Sequence, residues 1–165
     1  MRIGILTVSD GCAQGVREDT SGLLIEQWCT TRGDTPIVRH VVPDDRVEIT
    51  RTLLEWADGR ALDLILTTGG TGLTDRDVTP EATRAVIDRE APGISEEIRR
   101  FGASSTPFAC LSRGISGTRG KTLVVNLPGS PRGVSDGVEV LSRVVDHAVA
   151  LLQGRTEHAA GTGSV

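Results

Sequence analysis

The sequence predicts a three-layer α/β/α domain built around a mainly parallel sheet. Segments of strand length alternate with helical segments along the chain, an order typical of α/β proteins. Most of the strand segments are apolar throughout, as expected for strands covered by helices on both faces. The chain has 165 residues, which fits one domain with a substantial core.

Three strands and two helices are predicted in the first half of the chain. The strands are Arg2–Val8, residues 36–42 and residues 63–67. A polar loop from Ser9 to Asp19 precedes the first helix, which ends where Gly33 can take a left-handed cap. The second helix begins at Asp45, with Glu48 at the spacing of a capping box. Its predicted buried face consists of Val47, Leu53, Leu54 and Ala57.

The middle of the chain contains proline and glycine signals that divide it into short elements. Thr79 is predicted to cap a third helix, with Pro80 in the first position, where its missing N–H costs nothing. Pro92 and the glycine after it break the chain before a short helix at residues 95–101. Residues 106–121 contain glycines spaced as in a hairpin but show weak periodicity. We therefore expect irregular or hairpin structure there.

The last strand and the longest helix complete the predicted domain, which spans residues 1–153. The strand is Thr122–Leu127, Ser130 caps the helix and Pro131 begins it. Its apolar stripe recurs at helical spacing in Val134, Val138, Leu141, Val145, Ala148 and Leu152. Residues 154–165 are polar, and we expect them to form a disordered tail.

Composition excludes several classes of partner. The formal net charge is −4 and no basic run occurs, so a nucleic-acid surface is not expected. No segment reaches the roughly 20 apolar residues that a bilayer crossing requires, and the apolar run at the N-terminus is too short for a signal peptide. Cys12, Cys29 and Cys110 are far apart and odd in number, which favours free thiols in a reducing compartment. These features predict a soluble, cytoplasmic protein.

Four polar loops follow the carboxyl ends of the predicted strands, where open α/β sheets bind ligands. They are Ser9 with Asp10, residues 43–45, residues 69–79 and residues 128–130. In Gly69, Gly70, Thr71 and Gly72 the backbone can approach a ligand closely and offer N–H groups to anionic oxygens. The spacing matches neither a Walker loop nor a dinucleotide-binding fingerprint. A tight turn with capping aspartates remains an alternative interpretation of this loop.

Asp44 and Asp77 lie on neighbouring loops in this layout and could hold Mg²⁺ together with phosphate oxygens. The alternatives are that Asp44 caps a helix and that Asp77 pairs with Arg76, Arg84 or Arg89. Ser112 and Arg113, like the basic residues at 119–121, could bring positive charge to a phosphate or could be ordinary surface residues.

Four segments of the chain are distinctive: TVSD at residues 7–10, TTGGTGLTDRDVTPEAT at 67–83, LSRG at 111–114 and NLPGSPRGV at 126–134. Together they resemble the MogA/MoaB family of molybdenum-cofactor biosynthesis proteins, in which gephyrin-like domains also occur. The resemblance covers about residues 2–152. It implies a MogA-like three-layer fold, a homotrimer, and a Mg²⁺-dependent nucleotidyltransferase that transfers AMP from ATP to the terminal phosphate of molybdopterin, releasing pyrophosphate. It also implies a partner enzyme that inserts the metal downstream.

The resemblance also implies roles for individual residues. Asp44 and Asp77 would be the catalytic, Mg²⁺-binding acids. The residues implied to bind molybdopterin or ATP are Ser9, Asp10, Gly69, Gly70, Thr71, Gly72, Ser112, Arg113, Pro128, Gly129 and Ser130. Two positions depart from the family pattern: Gly11 stands where a basic residue is frequent, and Ser130 replaces an asparagine. The alternative functions are a non-catalytic molybdopterin-binding protein of the same family and a nucleotide hydrolase with similar Mg²⁺ geometry.

Overall fold

A computed structural model describes residues 1–155 and contains one six-stranded sheet. The strands are β1 (Arg2–Val8), β2 (Thr35–Val42), β3 (Leu64–Thr68), β4 (Arg89–Glu90), β5 (Ser116–Arg119) and β6 (Thr122–Leu127). Their order in the sheet is β2-β1-β3-β6-β5-β4. The first four in this order are parallel, whereas β5 pairs antiparallel with both β6 and β4. The predicted mainly parallel sheet is therefore confirmed.

Helices cover both faces of the sheet. They are α1 (Asp10–Ala13), α2 (Thr20–Thr31), α3 (Arg46–Gly59), α4 (Thr79–Arg84), α5 (Pro92–Gly102) and α6 (Pro131–Leu152), and a 3₁₀ helix spans Pro107–Leu111. One core cluster joins α2, α5 and α6 to the sheet, and a second joins α3 and α4 to the opposite face. Strand residues of alternating parity enter the two clusters, because successive side chains point to opposite faces. The three-layer prediction is confirmed.

Three helices begin at side-chain caps, of which the sequence predicts Asp45 and Ser130. Asp19 accepts a hydrogen bond from the Gly22 N–H (2.8 Å) at the start of α2. Asp45 does the same for Glu48 (2.9 Å) at the start of α3. Ser130 accepts from the Gly133 N–H (3.1 Å) at the start of α6. Each cap satisfies an N–H group that has no partner within its helix. Local sequence therefore determines where these three helices begin.

Other predicted details were wrong. The loop predicted from Ser9 to Asp19 contains α1, which forms because the Ser9 hydroxyl accepts from the Cys12 N–H (3.3 Å). Thr79 lies inside α4 and does not cap it, because its hydroxyl donates to the Gly69 carbonyl (2.9 Å). Val47 is 75% exposed, since the buried face of α3 is formed by Ile49, Thr52, Leu53 and Trp56.

The segment at residues 106–121 forms the 3₁₀ helix and the first strand of a hairpin. Gly120, with φ of 53°, turns the chain from β5 into β6. Of the predicted tail, only Gly154 and Arg155 are described, and residues 156–165 lie outside the described part of the chain. None of the helices formed by residues 1–155 combines the length and the apolar character needed to cross a bilayer.

Candidate active site

A cavity of about 480 Å³ opens at the carboxyl ends of β1, β2, β3 and β6. Seven of the predicted site residues line it: Ser9, Asp44, Gly69, Gly70, Asp77, Gly129 and Ser130. They come from four different connections of the chain, which the parallel strands bring to one edge. The remaining walls come from the ends of β1 and β3, from α1, the start of α2 and the segment between them, and from the first residue of α6.

The glycine-rich loop between β3 and α4 adopts a conformation that only glycine accommodates. Gly69 has φ of 96°, and a Cβ there would overlap the Val8 carbonyl oxygen. Gly70 has φ of 62°, and a Cβ there would overlap the Thr79 hydroxyl and lie 3.2 Å from Asp44 Oδ1. The carbonyl oxygens of both glycines accept hydrogen bonds from Thr79, at 2.9 and 3.0 Å. Hydrogen bonds from Thr79 thus hold the carbonyl groups of the loop against the start of α4.

The turn between β6 and α6 packs directly on this loop. A Cβ on Gly129 would lie 3.1 Å from Gly69 Cα. Hydroxyl groups hold its carbonyl oxygens: Thr68 donates to Pro128 (2.7 Å) and Ser21 donates to Gly129 (2.8 Å). Within residues 1–155, the backbone N–H groups of Gly70, Gly129 and Ser130 have no hydrogen-bond acceptor. Unpaired N–H groups at the start of a long helix form a site for anions.

Asp10 and Asp44 bind each other's backbone across the ends of β1 and β2. The Asp10 N–H donates to Asp44 Oδ2 (2.8 Å), and the Asp44 N–H donates to Asp10 Oδ1 (3.0 Å). Arg76 holds the Asp10 carboxylate with both Nη2 and Nε, at 2.8 and 3.1 Å. The hydrogen bonds from Arg76 lower the pKa of Asp10. Asp10 is therefore a positioning group for Asp44, and it does not line the cavity.

The two predicted catalytic acids have opposite pKa shifts. Burial raises the pKa of Asp44, and the negative charges of Asp10 and Asp77 add to the increase. Burial also acts to raise the pKa of Asp77, but hydrogen bonds from the hydroxyl and N–H of Thr74 (2.6 and 2.9 Å) outweigh it, and the pKa is lowered. Both carboxylates border one cavity and are close enough to interact electrostatically.

The alternative roles considered for these acids are not observed. Asp45, not Asp44, caps α3. Arg76 pairs with Asp10 and Arg84 with Glu90, so neither is the partner of Asp77. Within residues 1–155 no group of three or more His, Cys, Asp or Glu side chains could enclose a metal ion. A cation bound by Asp44 and Asp77 would therefore need further oxygens from a ligand or water.

Arg113 contacts the glycine loop through the loop's carbonyl oxygens. Its backbone N–H donates to the Thr71 carbonyl (2.8 Å), and its Nε donates to the Gly72 carbonyl (2.6 Å). Its guanidinium also bonds the Asp77 carbonyl and forms an ion pair with Glu81. With its donors used in this way, Arg113 holds the loop in place, which differs from the direct phosphate contact expected from the sequence. Thr71, Gly72 and Arg113 do not line the cavity.

A second cavity of about 210 Å³ adjoins the first and shares Ser130 with it. The predicted residues Ser112 and Pro128 line this second cavity. Most of its remaining wall is apolar and includes Ile98, Phe108 and Ala109. Some of the predicted binding residues thus line a polar cavity and others a smaller apolar one, and the two cavities meet at the start of α6. Asp10, Thr71, Gly72 and Arg113 line neither cavity.

Sequence reasoning missed the contribution of the segment between α1 and α2. The larger cavity is also lined by Cys12, Arg17, Glu18, Asp19, Thr20 and Ser21. Asp19 forms an ion pair with Arg39 at 2.9 Å. The only available signal was the polarity of a loop that follows a buried strand. That signal locates the loop at the edge of the sheet but does not show which of its side chains face the ligand.

Comparison with known proteins identifies a family and several similar proteins. Residues 4–147 match the family described as "Probable molybdopterin binding domain". The molybdopterin adenylyltransferase of Escherichia coli strain K12 is 40% identical over 141 residues, which are 84% of this chain and 72% of that protein. The molybdenum cofactor synthesis protein cinnamon of Drosophila melanogaster is 43% identical over 150 residues; these are 90% of this chain but a quarter of that protein's length. The crystal structure of MoaB from Thermus thermophilus superposes with a TM-score of 0.88 at 48% identity, covering 93% of this chain and 96% of that one.

Proposed function

Because the chain belongs to the molybdopterin-binding family that includes the MogA and MoaB proteins, we propose that it is a molybdopterin adenylyltransferase. In the proposed reaction an oxygen of the terminal phosphate of molybdopterin attacks the α-phosphorus of ATP. The bond from that phosphorus to the oxygen bridging the β-phosphate breaks, and pyrophosphate leaves. The observation that carries the proposal is the placement of Asp44 and Asp77 on one cavity with unpaired N–H groups, in a chain 40% identical to an enzyme of this name.

The larger cavity suits phosphate groups. The N–H groups of Gly70, Gly129 and Ser130 supply donors that need no side chain, and the positive end of the 22-residue helix α6 adds to them. The nucleophile is a phosphate oxygen that is already ionised at neutral pH, so no general base is required. The main task is to bring two anionic molecules together in the correct orientation.

Mg²⁺ fits the acids that the cavity presents. Asp44 Oδ2 is used by the Asp10 N–H, but no donor within residues 1–155 bonds Asp44 Oδ1. Asp77 presents a second carboxylate, and its lowered pKa keeps it ionised. Mg²⁺ is commonly held by one or two carboxylates with substrate phosphates and water completing its shell. When bound, it would neutralise negative charge on the phosphates and orient them; Asp44 and Asp77 would hold it.

The surrounding residues keep these acids in position. Arg76 fixes Asp10, which orients Asp44 through the paired backbone bonds, and Arg113 fixes the loop that carries Asp77. The smaller apolar cavity, bounded by Phe108 and Ile98, provides a surface for a planar heterocyclic ring. Because both cavities meet at Ser130, a ring in one and phosphates in the other can belong to a single bound substrate. The adenylylated pterin would then pass to a metal-insertion enzyme.

The proposal is tested by supplying molybdopterin, ATP and Mg²⁺ to the purified protein and measuring pyrophosphate and adenylylated pterin together. We expect Asp44→Asn and Asp77→Asn each to lower turnover by at least about 100-fold, because each removes a charge that acts on the reacting phosphates. We expect omission of Mg²⁺ with a chelator to have a similar effect.

Asp75→Asn is the matched control, since Asp75 is an exposed acid two residues from Asp77 that does not line the cavity. It should retain wild-type turnover. Binding of molybdopterin without release of pyrophosphate would instead support the non-catalytic pterin-binding alternative. ATP hydrolysis in the absence of pterin would support a nucleotide hydrolase.

A further inference from the structure

Arg17 is a basic side chain at the larger cavity that takes no part in holding the acids or the glycine loop. Of the described residues that line this cavity, Arg17 alone is basic, and it is exposed. The charged side chains around it are the acids Glu18, Asp19, Asp44 and Asp77. A cavity that receives phosphates therefore has one cation of its own.

The position of Arg17 is set by the end of α1. Gly15, with φ of 71°, reverses the chain, and the N–H groups of Val16 and Arg17 both donate to the Gly11 carbonyl, at 3.0 and 3.1 Å. A Cβ built on Gly11 would lie 3.4 Å from Arg17 Cβ and 3.7 Å from Arg17 Nε. The arginine side chain thus lies over the space that a side chain at position 11 would enter.

Three other arginines near the cavity are already occupied. Arg39 pairs with Asp19, Arg76 pairs with Asp10, and Arg113 bonds the glycine loop and Glu81. By contrast, no carboxylate within residues 1–155 forms an ion pair with Arg17. An unpaired guanidinium at the wall of an anion-binding cavity is suited to bidentate contact with phosphate oxygens.

We propose that Arg17 is a phosphate-binding residue of this site and contacts a phosphate group of ATP or of molybdopterin during adenylyl transfer. The proposal rests on the proposed function for the identity of the substrates, but the charge and position of Arg17 do not depend on it. The same chemistry serves either phosphate, so the experiment varies the two substrates separately.

The test compares wild type with Arg17→Gln, varying ATP and molybdopterin in turn. We expect KM for the substrate that Arg17 contacts to rise about ten-fold, which corresponds to about 1.4 kcal/mol. KM for the other substrate should be nearly unchanged. Arg51→Gln, an equal change of charge at an exposed position on α3 that does not line the cavity, should leave both values at wild type.

A rescue variant distinguishes a role of the Arg17 charge from a purely structural role of Arg17. Because position 11 points at the Arg17 side chain, the double variant Gly11→Arg with Arg17→Gln returns a guanidinium to the same space. We expect it to recover most of the lost affinity, which a purely structural role of Arg17 would not allow. Thermal melting of each variant controls for folding.

Failure of this inference is distinct from failure of the proposed function. If wild type transfers adenylate and Arg17→Gln changes neither KM by more than about two-fold, Arg17 binds no phosphate and the inference is wrong. If wild type proves inactive, the proposed function fails. Calorimetry with inorganic pyrophosphate then decides the inference: weaker binding by Arg17→Gln supports it, and equal or absent binding in both proteins overturns it.

Discussion

Asp44 and Asp77 carry the same chemical group in opposite surroundings. Asp44 is desolvated and faces the charges of Asp10 and Asp77, so folding disfavours its ionised form and raises its pKa. Asp77 accepts two hydrogen bonds from Thr74, so folding favours its ionised form despite burial. A cation shared by the two would relieve the repulsion that raises the pKa of Asp44. The ionised form of Asp44 therefore does not stabilise the fold, although Asp44 presents a carboxylate to the cavity.

These surroundings predict different effects on stability for the two neutral variants. The cost of burying Asp44 grows as the pH rises above the ordinary pKa of 3.8 and is complete above the raised pKa. At pH 7 Asp44→Asn should therefore be as stable as wild type or more stable. Asp77 has a folded pKa below its ordinary 3.8, so its stabilisation is present above that value and is lost as the pH falls through the lowered pKa. The free energy of unfolding of Asp77→Asn should therefore be about 1 kcal/mol lower than that of wild type at pH 7.

Urea unfolding of both variants at pH 7, and again at pH 3, measures these differences. The deficit of Asp77→Asn should shrink at the lower pH, because at pH 3 the unfolded chain already binds a proton at Asp77 and ionisation in the folded state adds less stability. A large loss of stability in Asp44→Asn at pH 7 would contradict the assignment of burial as the main cause of its pKa shift.

The loop between β3 and α4 derives its shape from close contact of backbones. Gly69 lies against the Val8 carbonyl on one side and against Gly129 on the other, so three connections of the sheet meet there without side chains between them. Thr68, Thr79 and Ser21 bind the carbonyl oxygens of these connections. Within residues 1–155 this arrangement leaves the N–H groups of Gly70, Gly129 and Ser130, which line the cavity, without acceptors, as the proposed anion site requires.

Gly69→Ala should destabilise the protein by about 3 kcal/mol or more, because the new Cβ would overlap the Val8 carbonyl oxygen and because φ is positive. Gly15→Ala is the matched control. Gly15 also has positive φ, but a Cβ there would have no neighbour within 4 Å, so its cost should be about 1–2 kcal/mol. Urea unfolding measures both, and equal losses would show that backbone strain alone requires glycine at position 69.

The domain as a whole leaves several large apolar side chains on its surface. Val16, Val47, Leu73 and Phe108 are each more than 60% exposed. Exposed apolar residues are frequent on monomers, but they are also the residues that a subunit interface covers. They are compatible with the homotrimer that the family resemblance implies, which remains a proposal.

We expect the protein to behave in solution as a trimer, with three times the mass of the 17.5 kDa chain. Light scattering after size-exclusion chromatography measures this mass directly. The measurement should be repeated over a wide range of dilution, since a weak assembly would dissociate. A constant monomer mass at all concentrations would contradict the trimer and would leave the site to function within one chain.

Much of the fold could be predicted because its signals are local. The buried runs Arg2–Val8 and Thr122–Leu127, together with the caps Asp45 and Ser130, each depend on residues within a few positions. Predictions failed where distant contacts competed with local signals. Thr79 bonds Gly69 ten residues away and so does not cap α4, and the face of α3 that contains Trp56 packs on the sheet and leaves Val47 outside.

The candidate site likewise has some features that local sequence predicts and others that depend on distant contacts. Local motifs were sufficient to select Asp44, Asp77 and the glycine loop as candidate site residues, because glycine clusters and acids after apolar strands can be recognised in the sequence. Only the tertiary structure decided that Arg76 restrains Asp10 across 66 positions and that Arg113 supports the loop across 41. It also decided that Arg17 borders the cavity without an ion-pair partner among residues 1–155. The physical reason is that hydrogen bonds and ion pairs between side chains depend on distance and direction in space, which sequence spacing does not encode once the chain has crossed the sheet.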